Sequence, residues 1–170
     1  MKSNVSLCTE LELDGFFSVF EKSIYQDYPE YSTDLQRYYL QKEYTINHFA
    51  HWMSTGFRVV YVVKDEISDE VVGFLVGNRV YGGIGYVVWL GVVEEFRSKG
   101  IGSELIKTYE EFCKENHGHR VELMTFPRRV AFYERIGYEQ ISDVPNSYFG
   151  LHKVSMGKTI GEWNEKFLLG

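Results

Sequence analysis

Arg97-Ser98-Lys99-Gly100-Ile101-Gly102 stands between two segments of different apolar period. Residues 86–93 before it form an apolar run, and residues 103–115 after it read as an amphipathic helix. A strand that turns through glycines into a helix start leaves several backbone N–H groups without an intrahelical partner, and the helix dipole adds partial positive charge there. Such a turn suits a phosphate or pyrophosphate, and Arg97 and Lys99 place two mobile cations beside it. Spacing separates it from two other phosphate-binding turns. A dinucleotide fingerprint needs a third glycine where Leu105 stands, and a P-loop needs Gly-Lys-Ser/Thr after four spacer residues. These residues predict a phosphorylated cofactor.

The elements that must position this turn can be read from the chain on either side. Residues 5–7 suit a short first strand. Leu13, Phe16, Phe17, Phe20 and Ile24 have helical spacing over residues 11–26. Ser32 or Thr33 caps a helix through Leu35, Tyr38 and Tyr39, and Thr45 or Asn47 starts a turn holding Phe49 and Trp52 that Gly56 ends. The period then changes: 58–64 and 71–80 are β-branched runs joined by the acidic turn 65–70, and 81–85 turns into the strand 86–93. Three successive strands with short links are antiparallel. The helix carries apolar residues at 101, 105, 109, 112 and 113, with Gly118 as its C-cap. Residues 121–125 form the next strand, parallel to the fourth because a helix separates them. Pro127 opens a short helix to Ile136, closed by Gly137; residues 138–144 and 149–156 form a last hairpin around Pro145-Asn146-Ser147. In the tail, Trp163, Phe167 and Leu168 suit a short docked helix. The sum is an α+β domain with a mixed sheet.

Bulk properties narrow the setting. The 170 residues suffice for one domain with its own core, and 44% hydrophobic with 25% charged residues is the composition of a globular chain. A net charge of −6 argues against nucleic acid as a partner and suits a cationic one such as an amine, unless it serves only solubility. Cys8 and Cys113 form no framework, and no CxxC or Cys/His ligand pair appears, so no metal is expected and a reduced, cytoplasmic setting fits. The first ten residues lack a signal-peptide core, and the longest apolar runs, 59–63 and 86–90, are too short to span a membrane. Exposed strand edges leave room for a homodimer.

The segment from Leu90 through Gly91, Val92 and Arg97 to Leu105 resembles the acyl-CoA-binding motif of the GNAT N-acetyltransferase superfamily, Arg/Gln-x-x-Gly-x-Gly/Ala at a strand-to-helix turn. Phe132-Tyr133-Glu134-Arg135-Ile136-Gly137-Tyr138 resembles the superfamily's later helix signature, and the two blocks stand in the right order. The resemblance covers roughly residues 58–160 and is weaker before Gly56. It implies the acyl-CoA N-acyltransferase fold, a mixed and mainly antiparallel seven-stranded sheet flanked by helices, with strands four and five parallel and splayed, in one N-acetyltransferase domain over 1–170. It implies acetyl-CoA as co-substrate. Leu90, Gly91 and Val92 would bond the pantetheine arm. The pyrophosphate would lie on the N–H groups of Ser98, Lys99, Gly100, Ile101, Gly102 and Ser103, with Arg97 and Lys99 screening its charge.

The resemblance also places an acid at Tyr133, which would protonate the leaving thiolate; packing on its short helix is the other reading. Many relatives carry a basic glutamate on strand four, but residues 86–93 contain no carboxylate. Glu122 interrupts an apolar strand and is the nearest candidate base, or else a solvated side chain; a water chain would serve as well. The asparagine that many relatives have seven residues before the tyrosine is Phe126 here, so an Arg129 or backbone contact to CoA takes its place. The first helices and the final hairpin would shape the acceptor site. There Asp27, Tyr28, Glu30 and Tyr31 combine carboxylates with aromatic faces able to hold a cation, and Tyr148, Phe149 and His152 stand in the hairpin. Two functions fit: N-acetyl transfer to a primary amine of a small molecule or peptide, or a CoA-binding sensor domain without turnover.

Overall fold

The computed structural model describes residues 4–169. β1 (Val5–Leu7) is followed by three helices, α1 (Leu13–Gln26), α2 (Thr33–Tyr38) and α3 (Ile46–Thr55). Then come β2 (Arg58–Lys64), β3 (Val71–Asn78) and β4 (Ile84–Val92), α4 (Ile101–Glu115), β5 (Arg120–Thr125), α5 (Val130–Arg135), β6 (Glu139–Val144) and β7 (Lys153–Thr159). The strands form one sheet in the order β1-β2-β3-β4-β5-β7-β6. β1 pairs antiparallel with β2, and β7 pairs antiparallel with both β5 and β6. β4 and β5 are parallel, because α4 carries the chain back between them. Their ladder runs from Ile84 opposite Arg120 to Val87 opposite Leu123, while β4 continues to Val92 and β5 to Thr125. The mixed, helix-flanked sheet implied by the resemblance is the one formed.

Local chemistry sets the element ends. Ser32 accepts from the Leu35 N–H and Thr45 from the His48 N–H, each at 3.2 Å, so the first of each pair of candidate caps is used. Residues 39–43 continue from α2 as one π-helical turn, closed by the Tyr44 N–H donating to the Tyr39 carbonyl at 2.6 Å. At the end of α4 the left-handed residue is His117, with φ +64°, rather than Gly118. Gly118 is required for another reason: its N–H donates to the Cys113 carbonyl at 2.6 Å, and a Cβ there would lie 2.7 Å from that oxygen. The last strand starts at Lys153 instead of residue 149, because Phe149 (φ +58°) and Gly150 (φ +71°) turn the chain first. In the tail, a 3₁₀ turn, Glu165–Leu168, stacks Phe167 on His117 at 3.8 Å.

The chain divides into two compact units, and β4 and α4 each pass from one to the other. Residues 4–77 with Trp89–Thr108 make the first. Phe16, Phe20 and Ile24, one face of α1, are fully buried. Phe16 meets Phe49 of α3 edge-on at 4.9 Å and Phe74 of β3 at 5.5 Å. Gly73 points to the opposite sheet face, where a Cβ would stand 3.0 Å from Ile101 of α4; glycine lets the helix approach that closely.

Residues 78–88 with 109–169 make the second unit. Here Tyr109 of α4 is fully buried, and its hydroxyl does the work of a strand neighbour. It donates to the Asn78 carbonyl (2.6 Å), accepts from the Tyr86 N–H (2.9 Å) and lies 3.2 Å from the Tyr86 carbonyl. Tyr109→Phe strands these buried backbone groups, so it is expected to lower unfolding free energy by about 1–3 kcal/mol in urea denaturation. Cys113, one turn on, packs against Gly85, and burial pushes its thiol up to about 12. Burial, with Glu12 adding to it, pushes the Cys8 thiol up to about 12 as well. Both thiols are therefore expected to resist a thiol-specific reagent at pH 8 until the protein unfolds.

Candidate active site

The turn after β4 lies in the first unit and is built by alternation of ordinary and left-handed backbone. Residues 94–96 form a 3₁₀ turn, Ser98 has φ +61° and Gly100 φ +85°, and α4 begins at Ile101. The Gly100 carbonyl accepts the Glu104 N–H at 3.0 Å, so Gly100 is the last residue before the helix, and the N–H groups of Ile101, Gly102 and Ser103 have no acceptor within it. A Cβ at Gly100 would meet nothing within 4 Å, so the chain is uncrowded at that residue. The donors and the dipole suit a pyrophosphate. Glycine at 100 supplies the expected backbone freedom. Gly102 lies inside the helix, and the second left-handed position falls on Ser98.

The two cations of the turn are both engaged. Lys99 folds its ammonium over the Phe96 ring, 4.8 Å from the centroid. Arg97 turns back toward β4, where its Nε donates to the Val92 carbonyl at 2.8 Å and its Nη2 donates to Asp27 Oδ1 at 2.5 Å. Asp27 stands just past α1 and also accepts from the Ser23 hydroxyl at 2.9 Å. The structure thus joins an expected cofactor residue to an expected acceptor residue. Around the pair, Ser23, Gln26, Asp27, Val92, Glu94 and Arg97 line a small cleft. It shares Val19, Lys22, Val93 and Glu95 with a groove of about 840 Å³ along α1. On β4 itself, Gly91 is fixed by packing, since a Cβ would fall 2.4 Å from the Phe74 ring.

Past Asp27 the tyrosines turn inward. Tyr28 and Tyr31 stack at 4.8 Å and 11° and are 6% and 7% exposed. Both meet the Trp89 ring of β4 edge-on, as do Tyr39, Tyr44 and Phe20. Sequence patterning gave no sign of this hub, because its members come from α1, the loop after it, the π-helical turn, the residue beyond that turn and a strand. Glu30 is half-buried. Arg58 covers the outer rings, 4.2 Å over Trp52 and 5.2 Å over Tyr44.

Glu122 and Tyr133 belong to the second unit. Glu122 alternates with buried Val121 and Leu123 on β5 and so faces the other side of the sheet, as expected. There its Oε1 accepts from Arg120 Nε at 2.7 Å. Gly157 lies opposite on β7, and a Cβ there would collide with the Arg120 guanidinium; the glycine makes room for the pair. Tyr133 is 6% exposed on α5, its ring edge-on to Phe132 (5.0 Å) and Tyr138 (5.8 Å). Phe126, before Pro127, carries the Lys153 ammonium 3.7 Å above its ring. In the final hairpin Tyr148 and Phe149 are exposed, and His152 Nε2 lies 2.5 Å from Asp143 Oδ1. Asp143 was not foreseen. It reaches His152 only through the β6–β7 register. Among the described residues no helix is long and apolar enough to cross a membrane.

Residues 21–138 match the family model described as the acetyltransferase (GNAT) family. The chain is 34% identical over 87 residues to MJ1530, an uncharacterized N-acetyltransferase of Methanocaldococcus jannaschii, over 49% of this chain and 55% of that protein. It spans about half the length of that curated relative. Its fold is similar to a GNAT superfamily phosphinothricin acetyltransferase from Sinorhizobium meliloti solved with acetyl-CoA (TM-score 0.76, 16% identity, 96% of this chain and 91% of that one). It is also similar to the PaiA N-acetyltransferase of Thermoplasma acidophilum solved with coenzyme A (TM-score 0.76, 16% identity, 94% and 99%).

Proposed function

Because the chain belongs to the acetyltransferase (GNAT) family, we propose that it moves an acetyl group from acetyl-CoA to a primary amine of a small molecule or peptide by direct attack. The observation that carries this reading is the turn at the start of α4, with its run of helix-start N–H groups. In it Ser98, Lys99, Gly100, Ile101, Gly102 and Ser103 hold the pyrophosphate, and the backbone of Leu90, Gly91 and Val92 holds the pantetheine arm. An alkyl amine has a pKa of about 10, so it must lose a proton before it attacks. A backbone N–H at the end of β4 stabilises the oxyanion that forms, and the Tyr133 hydroxyl protonates the departing thiolate. Glu122 is the proposed base; its Oε1 accepts from Arg120 Nε, and its second oxygen, Oε2, takes the proton. Asp27, Glu30, Tyr28 and Tyr31 shape the acceptor end.

A CoA-binding sensor without turnover is the second reading, favoured by the absence of a carboxylate on β4 and by the Arg120–Glu122 pair. Acetyl-CoA consumption over a panel of primary amines tests the two. Acetyl transfer to any member supports the enzyme; CoA binding with no transfer to any of them supports the sensor.

A further inference from the structure

Resting on the acetyltransferase reading, we propose that the groove along α1 holds the body of an extended peptide acceptor. The peptide's amine lies in the cleft beside Asp27, and a basic side chain about four residues further on meets Glu70. The acceptor class is then a peptide with lysine or arginine at that distance from its amine.

The cleft is small, but through Val19, Lys22, Val93 and Glu95 it continues into the groove of about 840 Å³, a volume within the range of ligand sites. A small amine leaves that groove unused. Gly15, Ser18, Val19 and Lys22 recur at helical spacing, so one stripe of α1 forms a wall of it. Val71 and Val72, 9% and 5% exposed, line it from β3. Gly15 sets the level of the far end: a Cβ there would lie 3.4 Å from Val71, which follows Glu70 in the chain. From Ser23, in the cleft, back to Gly15 the helix rises about 12 Å. An extended chain covers that distance in about four residues.

Charge distinguishes the two ends. Lys22 and Glu95 balance at the end shared with the cleft. At the far end Lys64 alone stands with Glu12, Asp69 and Glu70. Its ammonium lies 3.3 Å from Glu12 Oε1 and 2.9 Å from Asp69 Oδ1, and Glu70 makes no ion pair among the described residues. The surplus of negative charge suits a cationic side chain and repels the phosphates of CoA. Leu11, 97% exposed and lining the same groove, offers an apolar surface to the methylenes of such a side chain, whose charged head stays in water beside Glu70.

The test measures binding to the whole protein by fluorescence anisotropy, with C-terminally labelled heptapeptides of alanine that carry lysine or glutamate at position five. The lysine peptide is expected to bind about five-fold or more tightly than the glutamate peptide, since an attraction replaces a repulsion. The gap is expected to narrow as salt screens it. Lysine moved to position two keeps the peptide's net charge and is expected to lose the advantage. Glu70→Gln, on an exposed turn, is expected to lower the preference, and Ser18→Trp, which puts an indole into the groove from the exposed side of α1, to weaken both peptides. Equal binding of the two peptides by the native chain overturns the proposal, as does lysine at position two serving as well as at position five. Full preference in Glu70→Gln, or full affinity in Ser18→Trp, does the same. CoA that displaces the peptide assigns the groove to the donor and also overturns it. Failure of CoA to bind the native chain overturns the acetyltransferase reading and the peptide's role as acceptor with it. A missing charge preference with CoA still bound overturns the groove alone.

Discussion

Tyr133→Phe is expected to lower kcat by about 10²- to 10⁴-fold, the range for loss of a positioned general acid. The phenylalanine keeps the ring that meets Phe132 and Tyr138 edge-on, so packing in this part of the second unit survives. The change removes one oxygen and nothing else. The departing thiolate, whose parent thiol has a pKa of about 8.5, must then take its proton from water. CoA affinity measured by calorimetry is expected to stay within error of wild type. That split identifies the hydroxyl as the acid. A Tyr133→Phe protein with undiminished kcat would leave the tyrosine a packing residue, the other reading its helix allows.

Trp89→Ala is expected to have the largest effect on stability, about 3–5 kcal/mol. Trp89 is 7% exposed and meets five aromatic rings edge-on, from Phe20, Tyr28, Tyr31, Tyr39 and Tyr44. Those rings arrive from α1, the loop after it, the π turn and the residue beyond. Removing the indole leaves a cavity that no single neighbour can fill, because each is fixed by a different backbone segment. For a chain of this size the loss corresponds to a fall in melting temperature of roughly 6–20 °C. Trp89→Phe should recover much of it, and thermal melts of the two variants side by side check the claim.

The parts of the site that are local in sequence were legible, and those that depend on distant contacts were not. The strand-to-helix turn could be read because two glycines, an arginine and an apolar stripe all fall within a few residues. Even so, the left-handed backbone fell on Gly100 and Ser98, since the helix starts early enough to enclose Gly102. Tyr28 and Tyr31 near Asp27 looked like faces for a cation. Their rings turn inward because Trp89, far along the chain, offers a larger apolar contact than solvent does. The Arg97–Asp27 pair spans 70 residues of sequence, and charge patterning cannot see that far. The Arg120–Glu122 pair was close enough to read. Neighbours at i and i+2 on a strand share a face, so an arginine two residues before a glutamate is a pair that alternation alone implies.

Tyr109 has a consequence for how the fold breathes. The Tyr86 amide belongs to a strand, yet it donates to a helix side chain at 2.9 Å. Its hydrogen cannot exchange with solvent until that phenol withdraws, so deuterium uptake at Tyr86 reports movement of α4 instead of fraying of the sheet. Exchange at Tyr86 is therefore expected to quicken selectively in Tyr109→Phe. A single amide thus becomes a clock for how often the helix that begins at Ile101 lets go of its strand.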